Sequence, residues 1–296
     1  MLKEVLEIFD PKPGQIYIDA TVNGGGHAIA LAQRLGQRGK IIGIDWDCAL
    51  VEELRTNVLT SGVRNAEAIC DNYVNIARIA ESKKMMRKVH GVLFDLGFSS
   101  HHIEYSGRGF SFLRDEPLDM RYNAASPLTA EEIVNTWTQG ALEKMLAEFG
   151  EERFAARIAR AIVRSRENGR IRRTLELVRI IEGGIPRGRR ERIHPATKTF
   201  QAFRIAVNNE LGNLGVALRA AVNVLVPGGK IAVISFHSLE DRIVKTFIKE
   251  GQAQGKLRAL TEKPIRAGRE EIKMNPRARS AKLRAAVTGA SIGEAI

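Results

Sequence analysis

The feature that most constrains this chain is an alternation in its first hundred residues. Gln15-Ile16-Tyr17-Ile18-Asp19-Ala20 places Ile16, Ile18 and Ala20 on one side, the period of a strand. Lys40-Ile41-Ile42-Gly43-Ile44-Asp45 and His90-Gly91-Val92-Leu93-Phe94-Asp95 are further short apolar runs of strand length. Between them, residues 27–35 and 49–58 have helical spacing. Strands that alternate with helices build βαβ units around a parallel sheet, so the predicted class is α/β with a doubly wound sheet.

The pattern changes beyond about residue 105, and from 129 to 192 only helical spacing is found. Thr129-Ala130-Glu131-Glu132 reads as a capping box. In 151–166, Phe154, Ile158, Ala161 and Ile162 share one helical face, and Arg153, Arg157, Arg160 and Arg164 a neighbouring one. Arg187, Arg189, Arg190 and Arg192 then form a basic connector. Phe200, Phe203, Val207, Leu211, Leu214, Leu218, Val222 and Leu225 recur by threes and fours, which predicts one long amphipathic helix ended by Pro227-Gly228-Gly229. Lys230 to Phe236 returns to a strand. The expected organisation is a discontinuous sheet domain, 1–105 with 195–296, interrupted by a helical insert, 106–194.

Charge narrows the partner. Across 296 residues, 46 Lys and Arg face 34 Asp and Glu, a formal charge of +12. Such an excess favours a polyanion, most simply nucleic acid; the alternative is a soluble protein that is merely basic. The arginine stripe carries the same ambiguity between phosphate contact and a solvated face. There is no run of about 18 apolar residues to cross a membrane. Met1-Leu2-Lys3-Glu4 meets charge at once, unlike a secretory signal. The two cysteines, Cys48 and Cys70, form no CxxC pattern. Neither a disulfide framework nor a zinc site is therefore expected, and a reducing cytoplasmic location is.

Asp19-Ala20-Thr21-Val22-Asn23-Gly24-Gly25-Gly26-His27 falls where the first strand turns into a helix. Glycines there admit a ligand close to the backbone, or simply make a tight turn. Asp45 ends the next strand about 20 residues on, where a carboxylate can accept hydrogen bonds from ribose hydroxyls. Neither GxGxxG nor GxxxxGK[ST] is present, which opposes an NAD-dependent oxidoreductase and suits a nucleoside ligand without a pyrophosphate, such as S-adenosylmethionine. Asp95, at the end of the third strand, can accept a hydrogen bond from an amine awaiting methylation. Ser235-Phe236-His237-Ser238-Leu239-Glu240-Asp241 is read as a helix cap of the Ser238-x-x-Asp241 kind, since neighbours in sequence do not make a triad. His101-His102 lacks the partners to complete a metal site, and no metal is expected.

These residues resemble the bacterial 16S rRNA cytosine N4-methyltransferases that act on the decoding region, the MraW/RsmH family. The resemblance rests on Tyr17 to His27, Gly43 to Asp47, Gly91 to Ser100, Arg108 to Phe112, Pro117 to Arg121 and Gly150 to Phe154. It continues through His194 to Thr197, Ser235 to Asp241 and Asn275 to Ser280. It implies a Rossmann-like methyltransferase sheet with an inserted helical domain for substrate recognition, and S-adenosylmethionine as cofactor. The implied cofactor residues are Gly25, Gly26, His27, Asp45, Tyr73, Asp95 and His102. For catalysis, Asp95 is expected to orient the cytosine amine, aided by Ser99, with 16S rRNA or the small subunit as partner. Three departures stand out: Asn23 replaces a glycine, His101-His102 replaces Pro-Gln, and no His-x-Pro-Val-Leu segment precedes Leu2. The competing readings are an amino-methyltransferase on DNA or another RNA, which would carry Pro-Pro-Tyr/Phe where Leu96-Gly97-Phe98 stands, and a non-catalytic RNA-binding assembly factor.

Overall fold

The computed structural model describes residues 1–97, 99–186 and 193–289, and its chain divides into two compact units, Met1–Gly97 with Leu211–Ile296, and Phe98–Glu210. The first is built on one sheet. Its strands are β1 (Ile16–Asp19), β2 (Lys40–Asp45), β3 (Ala66–Cys70), β4 (Val89–Asp95), β5 (Leu225–Ser235), β6 (Leu257–Ala259), β7 (Ile265–Arg266) and β8 (Lys282–Thr288). Their order is β3-β2-β1-β4-β5-β8-β6, with β7 also on β8. The first five are parallel neighbours, and β8 runs antiparallel to β5, β6 and β7.

The parallel strands are apolar on both faces because helices cover both. One face carries Ile18, Ile42, Ile44, Val92, Phe94 and Val233, and the other Tyr17, Ile41, Leu93, Ala232 and Ile234. From β1 the chain winds outward through β2 and β3, then crosses back to β4 and β5. The strand order therefore reverses between β1 and β4, and ligands of doubly wound sheets bind beyond the carboxyl ends at such a point. Asp19 and Asp95 stand at those two ends.

Four strands lie outside the sequence reading: β3, β6, β7 and β8. β3, Ala66-Glu67-Ala68-Ile69-Cys70, lies at the sheet's edge, half-buried, with one strongly apolar residue. β8 reads as Lys-Leu-Arg-Ala-Ala-Val-Thr, a helix-favouring composition, yet is buried between β5 and the short β6 and β7. Its buried Arg284 is tolerable because Asp241 accepts from Arg284 Nε at 2.6 Å and Lys282 Nζ at 3.0 Å.

The second unit is helical: α5 (Ser100–Glu104), α6 (Ala130–Thr136), α7 (Gln139–Gly150), α8 (Ala155–Arg166), α9 (Thr174–Gly184) and α10 (Ala196–Asn208). Its core includes Ile133, Leu142, Leu146, Ile158, Ile162, Leu177, Ile181, Phe200 and Phe203. It is wider than the expected 106–194 because α10 packs on α7 and contributes Phe200, Ala202 and Phe203 to the same core. The single long helix expected over 200–225 is two. Asn209 takes a left-handed backbone, φ 47°, and ends α10; α11 (Glu210–Val224) follows. Leu214, Ala217, Leu218, Ala221 and Val224 of α11 belong to the core of the sheet unit.

Candidate active site

The loop after β1 is held in place from both sides. Val22 N–H donates to the Ile44 carbonyl at 3.0 Å. Asn23, at φ 48°, is left-handed, a conformation that asparagine tolerates better than most residues. Its N–H donates to Asp45 Oδ2 at 3.1 Å and its side-chain Nδ2 to the Asp95 carbonyl at 3.0 Å. A glycine at this position would retain only the first bond. Asn23 thus ties the ends of β2 and β4 to the loop, and this departure from the family pattern has a structural use.

Gly25, at φ 85°, is the N-cap of α2 (Gly26–Leu35), and a Cβ there would collide with Leu54. A Cβ on Gly26 would meet nothing within 4 Å, so the helix start is open at this residue. The unsatisfied N–H groups of that turn make a polar floor to which a ligand can come close.

Backbone donors fix Asp45, among them Asp47 N–H on Oδ1 at 2.9 Å and Asn23 N–H on Oδ2. Burial pushes its pKa up to about 6 against these hydrogen bonds. Each oxygen keeps a second lone pair, and a ribose diol offers two donors to match. Tyr73 opens a short 3₁₀ turn capped by Asn72, with its ring edge-on to Phe94 at 5.9 Å.

The rim of β1 and β4 concentrates charge. Asp95 N–H donates to Thr21 Oγ1 at 2.5 Å, and Asp95 Oδ2 lies 3.4 Å from His27 Nδ1. Asp19 was not singled out by the sequence reading, although it ends β1 as Asp45 ends β2 and Asp95 ends β4. It is fully buried, and burial raises its pKa to about 7 despite the favourable charge of His27 and the N–H of Thr21. Burial alone would lower the pKa of His27; the hydrogen bond and charge of Asp95, with the charge of Asp19, outweigh it, and the net shift is upward. Three buried atoms here have no hydrogen-bond partner among the described residues: Asp19 Oδ2, His27 Nε2 and Asp95 Oδ1. Buried polar groups left this way usually await a ligand or water.

The remaining expected residues lie in the helical unit. Ser99 is the N-cap of α5: its Oγ is 3.1 Å from His102 Nδ1 and accepts from His102 N–H at 3.4 Å. The buried His102 ring stands 5.0 Å from both Phe110 and Tyr122, which stack on each other at 5.5 Å. Histidine thus makes the reciprocal capping bonds here while filling an aromatic cluster. Arg204 and Glu210 form a buried ion pair at 2.8 Å, and Tyr122 donates to the same carboxylate at 3.1 Å.

Two sequence expectations are corrected. The helix α12 (Ser238–Ala253) is capped by His237 and Glu240, one residue earlier than Ser238 and Asp241: Glu240 Oε2 accepts from Phe236 N–H at 2.8 Å, and Asp241 instead binds Lys282 and Arg284. Cys48 and Cys70 are bonded to each other, because parallel pairing of β2 with β3 sets Asp45 opposite Cys70 and the next helix, α3 (Cys48–Ser61), begins beside it. The connector arginines 187, 189, 190 and 192 lie outside the described residues.

A glycine-backed helix start, a strand-end carboxylate with free lone pairs and a buried acidic rim are groups that could hold a cationic nucleoside. The sequence model described as the MraW methylase family matches residues 1–288. The chain belongs to the MraW methylase family. Among curated relatives, "Ribosomal RNA small subunit methyltransferase H" of Geobacter sulfurreducens is 47% identical, covering 97% of this chain and 96% of its own length. Proteins of that name from Heliobacterium modesticaldum, 45% identical with 97% and 96% covered, and Methylococcus capsulatus, 44% identical with 97% and 98% covered, agree. The chain is a methyltransferase of Rossmann-like α/β fold, and S-adenosylmethionine is the methyl donor to test against the site. It fits: the unpartnered carboxylate oxygen of Asp19 suits its cationic methionine end, and the carboxylate of Asp45 its ribose.

Proposed function

We propose that this protein transfers a methyl group from S-adenosylmethionine to the exocyclic N4 of a cytidine in small-subunit ribosomal RNA, in the decoding region. The single observation that carries the chemistry is the buried, unpartnered Asp95 Oδ1 at the end of β4, with the other carboxylate oxygen held by His27. The rRNA substrate rests on the names of the relatives, and N4 of a decoding-region cytidine on the resemblance to the MraW/RsmH family.

When bound, the cofactor supplies an electrophilic methyl on a sulfonium. Asp45 would hold the ribose, Tyr73 would border the adenine, and Gly25, Gly26 and His27 would line the methionine end. The N4 lone pair of cytosine is delocalised into the ring, so the protein must orient the amine rather than merely bind it. A hydrogen bond from N4–H to Asp95 Oδ1 draws that lone pair out of conjugation and directs it at the methyl, so catalysis is largely positioning. The amine proton is then accepted at Asp95, with His27 donating to the other oxygen. Ser99, expected to assist, has its hydroxyl engaged by His102. The helical unit, with its exposed arginines on α8, recognises the RNA, and the target base is presented unstacked.

Single-turnover methylation at saturating cofactor tests the assignment. Asp95→Ala is expected to fold and to lose at least about 100-fold in rate, with Asp95→Asn retaining more than Ala, since concentration rescues a binding defect but not a chemical one. A wild-type single-turnover rate in Asp95→Ala would remove Asp95 from the chemistry.

A further inference from the structure

The structure assigns a redox-responsive clasp to Cys48 and Cys70, on the adenosine side of the cofactor site. The inference rests on the placing of the ribose at Asp45 and the adenine near Tyr73, and goes beyond it. Cys48 is the first residue of α3 and follows Asp45-Trp46-Asp47; Cys70 is the last of β3 and precedes Asp71-Asn72-Tyr73. The two sulfurs are bonded, with Cα atoms 5.0 Å apart, and both residues are exposed to solvent. A covalent bond therefore joins the two turns that carry the candidate adenosine contacts, at a place that small molecules can reach.

Sheet pairing does not depend on this bond. β2 and β3 pair at five positions, and Asp71 N–H donates to the Asp45 carbonyl at 2.9 Å. The clasp lies at the end of that ladder, where Cys70 pairs with Asp45. Asp47 caps α3 through Ala49 N–H at 3.1 Å and fixes the Asp45 carboxylate, while Asp71 accepts from Asn72 N–H and Asn75 Nδ2, each at 2.7 Å, to shape the turn that presents Tyr73. With the bond formed, the two turns move as one and meet the ligand already ordered; with it open, binding must order them.

The chemistry is thiol–disulfide exchange with a small disulfide of the glutathione class. Cys48 begins a 14-residue helix, and the positive end of the helix favours its thiolate, which makes it the attacking sulfur. Its thiolate displaces one small thiol and forms a mixed disulfide. The Cys70 thiolate then attacks the Cys48 sulfur and displaces the second. Two cysteine thiols give up two electrons, one small disulfide becomes two thiols, and the two cysteine protons end on them.

The test equilibrates the full chain in glutathione buffers from reduced to oxidised. Free thiols are read by alkylation and intact mass, and affinity for S-adenosylhomocysteine by calorimetry. Both thiols are expected to disappear together, with Kd tightening about three- to tenfold on oxidation, roughly the gain of ordering one or two side chains beforehand. Cys48→Ser and Cys70→Ser should each bind like reduced wild type in reducing buffer and show no tightening on oxidation. Thiols that persist in fully oxidised buffer overturn the clasp, and so does a pair that closes without changing Kd. Asp45→Ala, run alongside, separates the two readings. Wild-type affinity there overturns the placing of the ribose, whereas weakened affinity there without a redox response in the wild type overturns the clasp alone.

Discussion

Asp19 places a fully buried carboxylate oxygen without a hydrogen-bond partner at the end of the first strand, and that shapes how the free protein responds to pH. Its pKa stands at about 7 and that of Asp45 at about 6, both above their ordinary 3.8. As pH rises from about 4, the unfolded chain releases these protons first, so the folded free protein loses stability up to about pH 7. His27, also raised, acts in the same direction: what it contributes is present in acid and lost as pH rises through its folded pKa. Chemical denaturation of cofactor-free protein should therefore show lower stability at pH 8 than at pH 5.5. Asp19→Asn keeps the acceptor for Thr21 N–H, removes the charge, and is expected to stabilise the free protein at pH 8 by about 1 kcal/mol or more. The same change should weaken cofactor binding, because the cationic methionine end loses its counter-charge; equal or tighter binding would show that Asp19 does not face it. At Asp45 the loss is one of hydrogen bonds. Charge-assisted bonds are worth about 1.5–3 kcal/mol, so Asp45→Ala should weaken cofactor affinity at least about tenfold by calorimetry.

At the scale of the element, α8 presents two separate faces. Ile158, Ala159 and Ile162 are buried, while Arg157, Arg160 and Arg164 are exposed and make no ion pair among the described residues. Arg153 instead lies over the Phe154 ring, 4.5 Å from its centroid. Three exposed guanidinium groups about one turn apart are available to track phosphates. Replacing Arg157, Arg160 and Arg164 with Gln should flatten the log–log salt dependence of RNA binding by about 2 units if each neutralises one phosphate. An unchanged slope would leave the stripe a solvated face. The start of α6 was legible because it is local: Thr129 Oγ1 accepts from Glu132 N–H at 3.1 Å, a bond that the spacing of the two residues already implies.

Over the whole molecule there are separate hydrophobic cores for the two units, since the clusters on the two sheet faces and the cluster of the helical unit share no residue. A core substitution in the helical unit should therefore leave the candidate cofactor residues of the sheet unit unaffected. Leu146→Ala, at a fully buried position, is expected to cost about 2–5 kcal/mol in denaturant unfolding of the helical unit. Affinity for S-adenosylhomocysteine should stay within about twofold, because Asp45, Tyr73 and the glycine loop lie in the other unit. A large loss of affinity in the folded variant would mean that the units are coupled.

Strand, turn and helix-start positions near Asp45, Asp95 and the glycine loop were legible in sequence because they are local: strand period, glycine freedom and caps act over a few residues. Family blocks such as Gly91 to Ser100 likewise carried the enzyme class. Tertiary structure alone decided matters that depend on distant partners. β8 is a strand because β5 supplies its ladder and Asp241 its counter-charge, not because Arg284 or Ala285 favours extended backbone. The run from Phe200 to Leu225 has one helical period, yet the left-handed Asn209 divides it between two cores, and periodicity records which residues are apolar, not what they pack on. Cys48 and Cys70 meet only because β2 and β3 pair in one register. Asp19 gained its importance from burial, which a sequence of four strand residues does not reveal, and Asn23 from two hydrogen bonds to aspartates 22 and 72 residues away.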